Sequence, residues 1–84
     1  MKLEHRIIRE MIGKMPVPAA KEILRANLPE REYESIYLSD VEQWDLFQIA
    51  DKLHCTDSNV KKIRRSGYEK LAAIYFPKKN MFIL

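Results

Sequence analysis

The stretch IADKLHCTDSNVKKIRRS, residues 49–66, decides how this chain is read. Ile49, Ala50 and Leu53 recur at helical spacing and form the apolar side of a short helix. His54 and Cys55 break that pattern and make a tight turn. Thr56 then suits an N-cap, because its hydroxyl can accept one of the free N–H groups at a helix start. From there Val60, Ile63, Gly67, Leu71 and Ile74 run down one face of a second, longer helix. Lys61, Lys62, Arg64 and Arg65 lie mostly off that face. Two helices crossing steeply need a small residue where they touch, and Ala50 supplies it. Val60 enters the same interface from the second helix.

Working outward, the segment before this pair is also helical. Asp45 reads as the N-cap of the short helix, with Gln48 three positions on in capping-box spacing. Residues 40–44 form a turn without glycine. Pro29 opens a third helix over residues 29–39, with Tyr33, Ile36, Tyr37 and Val41 facing inward. Glu30 and Glu32 sit well beside the positive end of its dipole. Residues 19–27 make a second helix with Pro18 in its first turn and Ala19, Ala20, Ile23 and Leu24 on its buried side. The first helix carries Leu3, Ile7, Ile8, Met11, Ile12 and Met15 as one apolar stripe and ends near Gly13 and Pro16.

The expected fold is all-α: five helices in a single domain over residues 1–84, with a C-terminal helix-turn-helix and a long recognition helix. Residues 1–27 are an N-terminal helical pair, 28–76 the helix-turn-helix unit and 77–84 an apolar tail. Pro77 stops the last helix. The 46% apolar content is enough for a core and argues against disorder. One cysteine, Cys55, excludes an internal disulfide and suits a reducing compartment. The acids in the first helix argue against a leader peptide. No apolar run approaches the roughly 20 residues that span a bilayer. These features together imply a cytoplasmic protein with no membrane role.

The net charge of +3 is unevenly spread. Residues 1–45 hold seven Lys/Arg against nine Asp/Glu, and residues 46–84 hold eight against three, so the halves carry −2 and +5. A basic half on a near-neutral body is the footprint of a polyanion binder. The alternative is a solvated helix face. The combination of Ala50, the turn at His54 and Val60 favours a DNA-binding helix pair over an ordinary helical hairpin.

The segment LPEREYESIYLSDVEQWDLFQIADKLHCTDSNVKKIRRSGYEKL, residues 28–71, resembles region 4, the promoter-binding domain of sigma factors. Leu28, Pro29, Arg31 and Glu32 match the opening of that family's first helix. Ile49, Ala50 and Leu53 match its helix before the turn, and Val60, Lys61, Gly67, Lys70 and Leu71 its basic helix after it. Phage transcription activators and response-regulator output domains share much of this pattern. There are two departures: His54 stands where the family usually has glycine, and residues 40–43 lack the glycine often found in that loop. The resemblance implies sequence-specific binding of double-stranded DNA in transcription regulation. A complete sigma factor also needs a promoter-melting domain, for which residues 1–27 leave no room.

Docked in this way, Asp57, Ser58, Asn59 and Lys62 would face base edges. Thr56, Lys61, Arg64 and Arg65 would hold phosphates, which position the helix without reading sequence. For Asp57 the alternative is a helix cap, and for Arg65 an ion pair with the third helix. The acidic third helix and its turn (Glu30, Glu32, Glu34, Asp40, Glu42, Asp45) could meet RNA polymerase or another basic partner. A competing function is a helical protein-interaction module without DNA readout, with a homodimer built through the C-terminal tail. An enzyme is not expected: His5 and His54 are patterned with no acid or nucleophile. His54 and Cys55 read as buried turn residues and are too few for a zinc site. No cofactor and no metal are expected.

Overall fold

The structure is a computed structural model, and it describes residues 1–77. Among the described residues the chain forms five α-helices and no strand. They are α1 (Leu3–Lys14), α2 (Val17–Asn27), α3 (Glu30–Ile36), α4 (Leu46–Leu53) and α5 (Asp57–Tyr75). A π-helical turn, Tyr37–Val41, extends α3. The tail expected to form a dimer contact, residues 77–84, lies outside the described residues apart from Pro77.

Local chemistry sets the helix ends. Met15 is extended before Pro16, as the clash with a following proline ring demands, and α1 ends there. Pro18 falls in the first turn of α2, where its missing N–H costs nothing. Pro29 is the N-cap of α3, and Glu30 and Glu32 occupy the first turn beside the helix dipole.

The third helix is not the single regular helix expected over residues 29–39. It keeps α geometry only to Ile36 and then widens, with the Glu42 N–H donating to the Tyr37 carbonyl at 3.1 Å. The widened turn changes which face of the chain is buried. Tyr33 and Ile36 enter one apolar cluster, whereas Leu38 enters another.

The larger cluster joins α1, α2, α3 and α5 through Ile8, Ile12, Leu24, Ile36 and Leu71, all fully buried. The smaller one lies under the α4–α5 turn and consists of Leu38, Ile49, Ala50, Leu53 and Val60. Ala50 and Val60 therefore meet as expected, while Ile63 is only half-buried.

The buried face of α1 differs from the expected stripe. Leu3 and Ile7 are 65% and 44% exposed, and His5 takes the inward place beside Ile8 and Ile12. Its ring packs against Tyr68 of α5 at 5.6 Å between centroids. On α2, Ala19 is exposed rather than buried. Ile74 of α5 is 48% exposed, and Tyr68 replaces it as the large buried residue of that helix.

Gly67 sets how closely α5 approaches α3. A Cβ there would stand 2.6 Å from Ile36 Cδ1 and 3.4 Å from Glu32 Cβ. Only a residue without a side chain leaves that approach free of overlap.

Candidate nucleic-acid interface

The α4–α5 unit is held by three local devices that the residue types dictate. The first is the capping box at Asp45. Its Oδ1 accepts from the Gln48 N–H, and its own N–H donates to Gln48 Oε1, both at 2.9 Å. Two otherwise unpaired donors at the helix start are thereby satisfied.

The second device is the turn. His54 adopts a left-handed conformation, φ 56° and ψ 47°. The Cys55 N–H donates to the Ala50 carbonyl at 3.0 Å and the His54 N–H to the Asp51 carbonyl at 3.2 Å. That pairing is a Schellman motif, which usually recruits glycine. Arg31 of α3 adds a donor from Nη2 to the Leu53 carbonyl at 3.4 Å, a cation at the negative end of α4. His54 is exposed and Cys55 half-buried, so the expectation of two buried turn residues is corrected. The chain turns at His54 on the surface, and the core below the turn is made by Leu53 and Val60.

The third device is Thr56, whose Oγ1 accepts from the Asn59 N–H at 3.2 Å. This N-cap frees the first turn of α5 to face outward. Ser58, Asn59, Lys61, Lys62 and Arg65 are all exposed, and Thr56 beside them is exposed too. Asp57 is half-buried in the first helical turn, where a carboxylate interacts favourably with the dipole. Among the described residues, Lys61, Lys62 and Arg65 have no acid within ion-pair distance.

Arg64 stands apart from the other three bases. It is half-buried, and its guanidinium lies 6.0 Å from the centre of the Tyr68 ring. Its Nε is buried without a hydrogen-bond partner. Arg64 thus faces the interior of the fold as much as the surface.

What it faces is a buried polar cluster that the sequence did not reveal. The Tyr68 hydroxyl donates to Asp40 Oδ2, and Ser39 Oγ donates to Asp40 Oδ1 at 3.0 Å. Arg9 Nε of α1 is 3.6 Å from the same carboxylate. Burial raises the Asp40 carboxyl above the ordinary range, and the bonds from Tyr68 and Ser39, with Arg64 and Arg9 nearby, pull it partly back. Tyr68 is pushed up by its own burial and by the Asp40 charge. A partnered buried carboxylate of this kind joins three elements at one point: α1, the π turn and α5.

Four of the six members of the expected acidic partner surface make internal hydrogen bonds: Asp40, Glu32, Asp45 through its capping box, and Glu42, which accepts from the Tyr37 hydroxyl at 3.1 Å. Asp40 is 7% exposed. Glu32 accepts from Lys70 Nζ at 2.8 Å and from Ser66 Oγ at 3.1 Å. It is Lys70, and not Arg65, that pairs with the third helix.

No protein-family model, curated protein or solved structure matches this chain. Among the described residues, no group of three or more His, Cys, Asp or Glu is placed to hold a metal ion. No described helix is long and apolar enough to cross a membrane.

Proposed function

We propose that this chain binds double-stranded DNA through α5 and serves in transcription regulation, in the manner of a helix-turn-helix like that of sigma-factor region 4. The observation carrying this reading is the first half of α5. Ser58, Asn59, Lys61, Lys62 and Arg65 stand exposed on one rigid helix, and among the described residues Lys61, Lys62 and Arg65 have no acid within ion-pair distance. The α4 turn and the Thr56 cap fix that helix against α4, where Val60 packs in one cluster with Ala50. Lys62 can donate to guanine O6 and N7, and Asn59 can pair with the adenine edge. Lys61 and Arg65 neutralise phosphates, and the N–H groups at the start of α5 offer a further anion contact.

Fluorescence anisotropy with duplex DNA across a salt series tests this reading. The expected result is an affinity that falls linearly on a log–log plot. Lys62→Ala should weaken binding by about 1–3 kcal/mol, and only where one base pair is of the preferred type. An absence of duplex binding at low salt refutes it.

Phe47, 71% exposed on α4, favours a second reading: contact with a protein partner, RNA polymerase included. Among the described residues, the acids of that surface without an internal hydrogen bond are Glu30 and Glu34.

A further inference from the structure

The basic residues of α1 have no place in the DNA reading of α5, because residues 1–45 are acidic overall. The fold redistributes them. Lys2, Arg6 and Arg9 fall at i, i+4 and i+7, which places them on one side of a helix. That side converges on the basic part of α5.

Two clefts record the convergence. One, of about 440 Å³, is lined by Lys2 from the start of α1 and by Lys61, Arg64 and Arg65 from α5, with His5 and Tyr68 between them. No acid lines it. The second, of about 650 Å³, is bordered by Arg6, Arg9 and again Arg64. Lys14 borders this one too, but so do the acids Glu10, Asp40 and Asp45, so the stronger positive field belongs to the first. Arg64 lines both, and the two clefts meet there. A cleft walled by one sign of charge focuses its field on whatever anion enters.

Little inside the chain competes for these cations. Lys2 lies 3.8 Å from Glu69 with both side chains more than half exposed, a pair of small worth. Arg6 is exposed, and among the described residues it has no acid within ion-pair distance. Arg9 is already held by Asp40 and works as a strut for the helix.

We infer that the N-terminal helix is a second phosphate-gripping element: Lys2 and Arg6 hold the DNA backbone beside the segment contacted by Lys61 and Arg65. This inference rests on the DNA reading of α5 and extends it to a helix outside the helix-turn-helix. The occupant is the sugar–phosphate backbone, because isolated cations along a helix side match a row of phosphates. Lys2 is a point charge without a planar fork, and the Arg6 guanidinium matches a phosphate as readily as a base edge.

The test is a salt-titrated anisotropy series on the full chain and the double variant Lys2→Ala/Arg6→Ala. The affinity of the variant should fall by roughly 60-fold on every duplex near 0.1 M salt, the counterion-release gain of two phosphate contacts. Its log–log slope should shrink by roughly 1.8, about 0.9 for each phosphate that is no longer neutralised. The ranking of duplex sequences should not change. Lys21→Ala/Arg25→Ala removes the same charge from α2, which borders neither cleft, and should leave the slope as it was. Lys2→Gln alone, at a position whose side chain is 60% exposed, should give half the slope change and guards against a folding defect in the double variant.

A wild-type protein that binds duplex DNA with a slope untouched by the α1 changes overturns this inference and leaves the α5 reading standing. An equal loss from the α2 control also overturns it, by reducing the effect to net charge. A wild type that ignores duplex DNA, or prefers vesicles of anionic lipid, overturns both.

Discussion

Replacing Tyr68 by Phe removes one oxygen from the centre of the molecule and should cost more than most surface changes together. The Tyr68 hydroxyl donates to Asp40, and Tyr68 and Asp40 are 1% and 7% exposed. The ring, its packing on His5 and its place beside Leu71 all survive the change, so no large cavity enters the accounting. What disappears is a hydrogen bond to a buried carboxylate, worth about 1.5–3 kcal/mol. Taking about 2 kcal/mol, the melting temperature of a domain this small should fall by roughly 8–16 °C.

The pH dependence has a defined sign. The folded Asp40 carboxyl titrates above its ordinary value of 3.8 because burial penalises the charge. That penalty is present at neutral pH and is relieved as pH falls through the folded value. The Tyr68 bond opposes the rise, so Tyr68→Phe lifts the carboxyl further. The deficit of the variant should therefore be largest near pH 7 and shrink on acidification toward 3.8. Urea unfolding at several pH values measures it. Asp40→Asn closes a double-mutant cycle, in which the double variant should lose less than the sum of the singles. A deficit below about 0.5 kcal/mol at neutral pH, or one that grows in acid, would refute the argument.

Two further outcomes follow from the same structure. His54→Gly should raise stability by about 0.5–1 kcal/mol: relief of the left-handed strain outweighs the added freedom of glycine in the unfolded chain. A lower urea midpoint would show that the His54 side chain holds the turn in some other way. His5 is held neutral, chiefly by burial and then by Lys2, with its folded value below 6.5. Its contribution is intact above 6.5 and is lost as pH falls from there toward the depressed value, because the unfolded chain takes up the proton first. His5→Phe should flatten that part of the stability profile, and an unchanged slope between about pH 7 and pH 5 counts against it.

The helices and the α4–α5 turn were legible because short-range chemistry makes them. Asp45 with Gln48, Thr56 with Asn59, and the prolines at 16, 18 and 29 act within a few residues of themselves. Ala50 and Val60 were readable for a similar reason, being tied to the turn by fixed offsets. The Asp40–Tyr68 pair was not legible, since its partners are 28 positions apart and neither shows a local pattern. The π turn escaped for a different reason: its widening follows from packing Leu38 and Asp40 against different neighbours, which periodicity cannot express. The role of Arg64 was blurred with that of Lys61 and Arg65 because charge in a sequence carries no direction. Its neighbour Tyr68 supplies that direction only in three dimensions.

The chain has two glycines, and neither is in a turn. Gly13 and Gly67 lie inside helices at close approaches, to the Asp40 carbonyl and to Ile36. Among the described residues, the two positive-φ positions are held instead by Gln43 and His54. The usual punctuation of a chain is thus inverted: its most permissive residues mark contacts, and its sharpest bends are made by residues that resist them. Such bends are not self-sufficient. Local hydrogen bonds shape the bend at His54, but its strain is held only while Leu38 packs with Ile49, Leu53 and Val60, so an excised peptide of residues 45–66, which lacks Leu38, would relax it.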